Sequence, residues 1–550
     1  MKKIDIKLKI LFLIFVFGIL SFISYDLNKY EAFYIPDFTV NIFFSKLVAE
    51  EHTLKYCNEY AVKYNAPVFG GRYFVRAKDD GCVTHAYFHG YIIILAIFRM
   101  INESLIYFVT PLLAVIALIF FYKISRLFFD EKTSLLGVII LSFSVPFFSF
   151  SVIYYNNLAL FAFFLGALYF FFKLLQTNAT RYYILFPIFL SIAIWARYPA
   201  VLFSIPLIIG FFSGGYRKKF YFLNRDEISI KDSNEAKLLI SALVFLIMIL
   251  PLFALNIDLY GHPLGLFFSQ QTSFNQYTTE AVMHEYGIEN KGISFYGFDI
   301  MFSNLKYFLK LNSIISIFSA IALVYFIINK QKRKEIFFSN TFWILTGIAL
   351  FCCLFYLGVD WYDPIAYKFM ILPSLGRYLL PVHAIMILLS SYIVISSLKC
   401  ADPRAGKIVI AAVVIFIIAF NLNITVNEVS GLNNMKLWVL AAEHKQNIIL
   451  EAVPEKDAVI FTRYSDKYIF PKRTTVIYTA FPPETRIKQT SDLAEKLLND
   501  GVPVYFINES GARYDIFTVD EYLSEFEKNN MSSKLANNES IYIYKVQREI

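Results

Sequence analysis

Charge is scarce in this chain. Asp, Glu, Lys and Arg make up 17% of its 550 residues, against about a quarter in ordinary soluble domains. Glycine is scarce too, with 22 residues beside 59 Phe and 38 Tyr. An aromatic excess of that kind suits lipid-facing and interface positions. Cysteine numbers 5, and none has metal-ligand spacing. Cys352 and Cys353 sit in an apolar run, Cys400 in a short basic loop, and Cys57 and Cys82 in one polar loop. That last pair fits a disulfide in an oxidising compartment and fits two free thiols equally well. No Walker loop, GxSxG or HExxH occurs, which removes the familiar soluble nucleotide, acyl-transfer and zinc-protease chemistries. The net charge of +8 does not signal nucleic acid, because the basic residues do not cluster as a groove requires. They lie between apolar runs, where topology determinants lie.

Those runs are what the sequence has in abundance. Lys2, Lys3, Lys7 and Lys9 precede or open an apolar run from Leu8 to Ser24. Tyr25-Asp26-Leu27-Asn28 follows it without a small-residue cleavage site, so the run reads as an uncleaved first span. Further spans are expected near 104–122, 134–152, 157–175, 182–196, 198–213, 237–256, 311–329, 341–358, 376–397 and 407–424, about eleven crossings in all. With the N-terminus in the cytoplasm, the loops bearing Lys123, Arg126 and Lys132, then Lys173 and Arg181, then Arg217, Lys218 and Lys219 all fall inside. So do the Lys330–Lys334 run and the loop with Lys399, Arg404 and Lys407. The segment from Tyr91 to Met100 is too short to cross and is expected at the interface. Residues 182–213 are expected as two short helices turning at Ala196-Arg197-Tyr198-Pro199, with Pro199 in the first turn of the second.

The expected fold class is mainly α: a polytopic transmembrane helical bundle with a C-terminal extracytoplasmic small α/β domain. Residues 1–425 form the membrane domain, and 25–103 its first extracytoplasmic loop with interfacial helices. Residues 426–550 form the outer domain. There, DAVIFT (457–462), TTVIY (474–478), VPVYFI (502–507) and SIYIYKV (540–546) alternate with helical patterns at 491–499 and 519–528. That alternation predicts an at least partly parallel sheet. No glycine-rich loop opens its helices, so nucleotide binding has no support.

Chemistry is then sought among ionisable groups at the outer boundary, because such groups are costly unless used or paired. Asp37, in Tyr34-Ile35-Pro36-Asp37-Phe38, precedes the amphipathic run NIFFSKLVAEEHTLKY. It fits a general base, and by sequence alone it fits a helix N-cap better. His85 and His89 are spaced i, i+4, which on a helix puts both on one face. They could grip a phosphate; a divalent metal stays open, although no further ligand is in register, and interface solvation explains them as well. Asn156 and Asn157 fit an ordinary turn or hydrogen bonding to a sugar. Arg197 and Arg377, each followed by Tyr and then Pro, stand outside against the basic bias. A guanidinium fork suits phosphate, while a snorkelling arginine is the bland alternative. Lys368, in the outer loop with Asp360, Asp363 and Arg377, is a candidate second cation.

Taken in order, these features resemble the GT-C superfamily. They comprise an acid after span one, an amphipathic helix, and a His/Tyr segment leading into a short apolar helix. ARYPAVLFSIPLII, YGHPLGLFFSQQTSFNQY (260–277) and GRYLLPVHAIMILL complete the series. The nearest likeness is to the dolichyl-phosphate-mannose protein mannosyltransferase and lipid A aminoarabinose transferase branch, over roughly residues 8–425. The resemblance implies a polyprenyl (dolichyl-type) phosphate sugar as donor, a protein or lipid acceptor, and transfer at the extracytoplasmic face, with Asp37 as general base. Three departures stand out: Phe38 beside Asp37, Asn156 or Asn157 where relatives carry a second acid, and histidines where many carry Pro-Pro. Attack opposite a lipid phosphate would invert the anomeric carbon, with Arg377 and Arg197 stabilising the departing phosphate. A transporter or flippase of a lipid-linked precursor would show mid-span charges and repeated halves. An inactive membrane scaffold would not need so many crossings.

Overall fold

The computed structural model describes residues 6–30, 35–64, 69–71, 74–78, 81–86, 88–217, 219–220, 228–229, 235–265, 298–329, 340–357, 376–398, 403–427, 431–463, 465–478, 485–510, 527–534 and 540–547. The chain divides into two compact units. One comprises Met1–Leu27, Ile106–Ile249 and Gly292–Met435. The other comprises Asn28–Leu105, Leu250–Lys291 and Lys436–Ile550.

The first unit is helical. Among the described residues, six helical segments are long and apolar enough to cross a membrane: Ile6–Asn28, Glu103–Phe128, Asn156–Thr177, Glu235–Tyr260, Leu380–Ser397 and one within 411–452. A seventh arises if Met301–Leu311 and Ser313–Ile328, bent by 103°, count as one broken span. The chain is therefore a multi-pass membrane protein. Other expected spans fall, among the described residues, on shorter apolar helices: Thr180–Ala196, Ala200–Ile209 and Phe342–Leu357. The run 134–152 breaks into Glu131–Ser142 and Val145–Phe150. Pro146 in the first turn of the second helix cannot continue the first. Ser144 marks the break by donating from both its N–H and its hydroxyl to the Leu141 carbonyl.

The expected turn at Arg197 is present. Arg197 caps Thr180–Ala196 in extended conformation, and Ala200 begins the next helix. Pro199 lies just before that helix rather than within it. Asn156–Thr177 ends at Asn178 in the left-handed region, φ 49°. Its Gly166 lets the next helix approach closely: a Cβ there would meet the Phe189 ring at 2.3 Å.

The second unit joins the first loop to the C-terminal region in one core. Phe44, Phe69, Phe74, Val83 and Ile92 pack with Phe461, Phe470, Val476 and Phe506. The helix Pro36–Glu51 and the short helix His89–Ile101 flank the hairpin Phe74–Arg76 and Val83–His85. Cys57 and Cys82 are disulfide-bonded. Gly70, at φ 110°, donates to the Thr475 carbonyl, and the Thr475 hydroxyl returns a bond to the Gly70 carbonyl at 2.7 Å. A Cβ at Gly70 would fall on the Phe74 ring.

All four expected strands form. Thr474–Ile477, Val459–Thr462 and Val504–Ser510 are parallel neighbours, and Ser540–Gln547 adds antiparallel to the last. A fifth, Glu527–Lys534, closes the edge. Its polar sequence carries no apolar alternation, as an edge strand permits. Of the helix expected at 519–528, residues 527–528 belong to this strand and the rest lie outside the described residues. The other expected helix, 491–499, lies within Arg486–Asn499.

Candidate functional site

Two polar clusters stand out, one in each unit. In the helical unit, Asn156 and Asn157 are not a bare turn. They occupy the first turn of Asn156–Thr177 and are buried. Both face Arg197, whose Nη1 donates to Asn157 Oδ1 at 2.9 Å and to Asn156 Oδ1 at 3.3 Å. The helix break at 197–199 sets that guanidinium over the Tyr378 ring, 4.3 Å from its centroid. Arg377 lies over Tyr155 at 4.4 Å and over Tyr378 at 4.8 Å, and its Nη2 donates to the Tyr378 hydroxyl at 3.1 Å. Asn157 Nδ2 reaches the Arg377 carbonyl at 3.5 Å. Tyr378 in turn stacks on Tyr356, 4.7 Å between centroids.

Asparagine oxygens accept from a guanidinium and aromatic faces attract it. The arrangement brings two guanidinium groups together among aromatic walls, and a guanidinium fork is a group suited to phosphate recognition. The sequence brought Arg197, Arg377, Asn156 and Asn157 forward but not Tyr155, Tyr356 or Tyr378. Tyr155 and Tyr378 adjoin the residues singled out; Tyr356 had no local signal.

In the second unit His85 and His89 do meet, although not on a helix face. His85 ends a strand and His89 begins a helix. The histidines are fully buried, His89 Nδ1 lies 3.1 Å from His85 Nε2, and His89 Nε2 lies 2.8 Å from Asn256 Oδ1. Asn256 Nδ2 donates to the Pro263 carbonyl at 2.9 Å, which orients the amide. An amide oxygen only accepts, so His89 carries its proton on Nε2, and His85 donates from Nε2 to the His89 lone pair. Tyr260 stacks on His89 and donates to the His85 carbonyl at 2.6 Å. Burial holds His85 well below its usual 6.5, with His89 adding to the effect. Burial pushes His89 down to about 4 against the opposing hydrogen bond to Asn256. The pair is neutral at physiological pH, which argues against gripping phosphate through charge. Among the described residues no group of three or more His, Cys, Asp or Glu could hold a metal. Asn256, a polar residue near the end of an apolar run, is the signal in the sequence that points to this network.

Asp37 is not the N-cap. Ile35 occupies that position and Pro36 the first turn, so Asp37 lies inside the helix beginning Pro36–Glu51, buried at 7% exposure. A carboxylate there is favoured by the helix dipole. In the same unit, the next turn is tied down by the Thr39 hydroxyl, which donates to the Lys467 carbonyl at 2.9 Å. Lys368, Asp360, Asp363 and Cys400 lie outside the described residues.

The fold is that of ArnT from Cupriavidus metallidurans. The apo structure of that protein superposes with a TM-score of 0.55 at 10% identity, covering 98% of this chain and 97% of that one. Its structure bound to undecaprenyl phosphate gives 0.56 at 11% identity, covering 98% of both chains. A weaker similarity, TM-score 0.46 at 12% identity, is found to the Archaeoglobus fulgidus oligosaccharyltransferase, over 98% of this chain and 74% of that one. Residues 84–253, about a third of the chain, match the family model described as dolichyl-phosphate-mannose-protein mannosyltransferase. A sequence comparison with curated proteins finds no match.

Proposed function

We propose that the chain transfers a sugar from a polyprenyl-phosphate donor to an acceptor hydroxyl on the extracytoplasmic face. In this reading the N-terminus lies in the cytoplasm and the C-terminal region outside. The observation that carries it is the Arg197–Arg377 cluster, in which asparagine oxygens and tyrosine ring faces hold two guanidinium groups close together. A lipid phosphate leaving an anomeric carbon needs fixed cations of this kind. The matched family segment contains Arg197, Asn156 and Asn157, and the undecaprenyl phosphate bound by the structural relative belongs to the same donor class. Asp37 accepts the proton of the attacking hydroxyl, and the configuration at the anomeric carbon inverts. Arg377 and Arg197 bind the phosphate; Asn156 and Asn157 position Arg197. The neutral His85–His89–Asn256 chain holds the first loop's shape.

Asp37→Asn tests the assignment directly. Purified variant protein is expected to bind polyprenyl phosphate as the wild type does and to lose transfer from a polyprenyl-phosphate sugar. Undiminished transfer would remove Asp37 from the mechanism.

A further inference from the structure

His383 lies in the first turn of the helix Leu380–Leu398, six residues beyond Arg377, and is fully buried. Neither of its ring nitrogens has a hydrogen-bond partner among the described residues. Its ring stands edge-on to Phe308 at 6.4 Å. One turn after Phe308, Asn312 uses its Nδ2 on the Phe308 carbonyl at 3.0 Å, and its Oδ1 is likewise buried without a partner. The helices Ser313–Ile328 and Leu380–Leu398 run parallel. Phe308 is level with His383, Ser319 bonds Ser390 at 2.9 Å, and Phe326 packs on Tyr392 at 5.1 Å. Asn312 and His383 therefore share one end of this helix pair, the end that carries Arg377.

Buried polar atoms without partners are rare, because each forfeits its bonds to water. Three at one helix-pair end call for an occupant. A neutral imidazole offers one donor and one acceptor, and the amide oxygen a second acceptor. A phosphate brings only acceptors at neutral pH and would meet two lone pairs for one N–H. A hydroxyl both donates and accepts, and so complements the set.

We infer that His383 and Asn312 form a hydroxyl-binding subsite that positions a saccharide or acceptor hydroxyl beside the phosphate cluster. The inference rests on the transferase reading above. His383 is a positioning residue: it holds a substrate hydroxyl and takes no part in bond making.

The test uses full-length protein in lipid nanodiscs, as wild type, His383→Leu and His383→Gln. Each is assayed for binding of polyprenyl phosphate alone, binding of a polyprenyl-phosphate hexose without acceptor, and transfer. Loss of one such bond predicts about a tenfold effect in the Leu variant, with binding of the bare lipid phosphate and the unfolding temperature unchanged. Gln, which keeps a donor and an acceptor, recovers most of it. Weaker hexose-lipid binding assigns the hydroxyl to the donor; unchanged binding with slower transfer assigns it to the acceptor. Equal effects of Leu and Gln, a parallel loss of bare-phosphate binding, or no effect, as with an internal water only, overturn the subsite. Absence of transfer by the wild type from any polyprenyl-phosphate sugar overturns the transferase reading, and the subsite with it.

Discussion

Asn157→Leu probes the arginine cluster with little change in volume. Asn157 is 2% exposed, and its Oδ1 accepts from Arg197 Nη1 at 2.9 Å. A hydrogen bond to a charged donor contributes about 1.5–3 kcal/mol. The second bond, from Nδ2 to the Arg377 carbonyl at 3.5 Å, is at the limit of useful geometry. Arg197 keeps Asn156 Oδ1 at 3.3 Å and the Tyr378 face at 4.3 Å, so the guanidinium loosens without being expelled. The lower end applies: about 1.5 kcal/mol, or roughly tenfold in kcat/KM. Transfer from a polyprenyl-phosphate sugar, with donor concentration varied, gives the measurement, and a thermal melt separates loss of fold from loss of function. Asn157→Asp sharpens the test. A carboxylate at that position grips Arg197 more firmly but neutralises it, so stability is kept while donor KM rises. Wild-type kcat/KM in the Leu variant at unchanged stability, or unchanged donor KM in the Asp variant, would refute the idea that Arg197 is held ready for phosphate.

Two further outcomes concern the second unit. Cys57 and Cys82 close a loop of sequence separation 25, so replacing both by Ser should cost up to about 3.5 kcal/mol in the chain-entropy account. A thermal melt indistinguishable from wild type would contradict this. The histidine pair makes stability depend on pH with a definite sign. Burial holds His85 and His89 below their usual 6.5, so the unfolded chain takes up protons that the folded chain refuses. Stability is full above about pH 6.5 and falls as the pH drops toward about 4, the folded value of His89. Melting temperatures across that range should fall less steeply in a His85→Phe/His89→Leu variant, and an unchanged slope would remove the pair as the cause.

Much of the architecture was legible because it rests on one-dimensional quantities. Apolar run length and the placement of lysine and arginine are set by transfer to lipid, which acts on each segment separately. They predicted a multi-pass helical bundle, the short helix at His89–Ile101 and the turn at Arg197. Short β-rich runs likewise predicted four of the C-terminal strands. The fifth, Glu527–Lys534, is an edge strand whose pairing partner supplies what its own polar sequence does not. The run 134–152 was long enough to cross, yet Pro146 divides it.

The sequence by itself determined that this is a membrane protein and which ionisable residues stand at helix boundaries, since burial of charge in lipid is costly wherever it occurs. Tertiary structure decided what those residues do. It placed Asn156 and Asn157 against Arg197 across about 40 residues of chain and stacked Tyr356 on the Tyr378 ring that both guanidinium groups face. It moved Asp37 from the cap into the helix, and it joined His85 to His89 through a strand end and a helix start rather than a shared face. Hydrogen bonds and ring contacts act over about 3–6 Å in space, and linear spacing does not encode which distant segment will come that close.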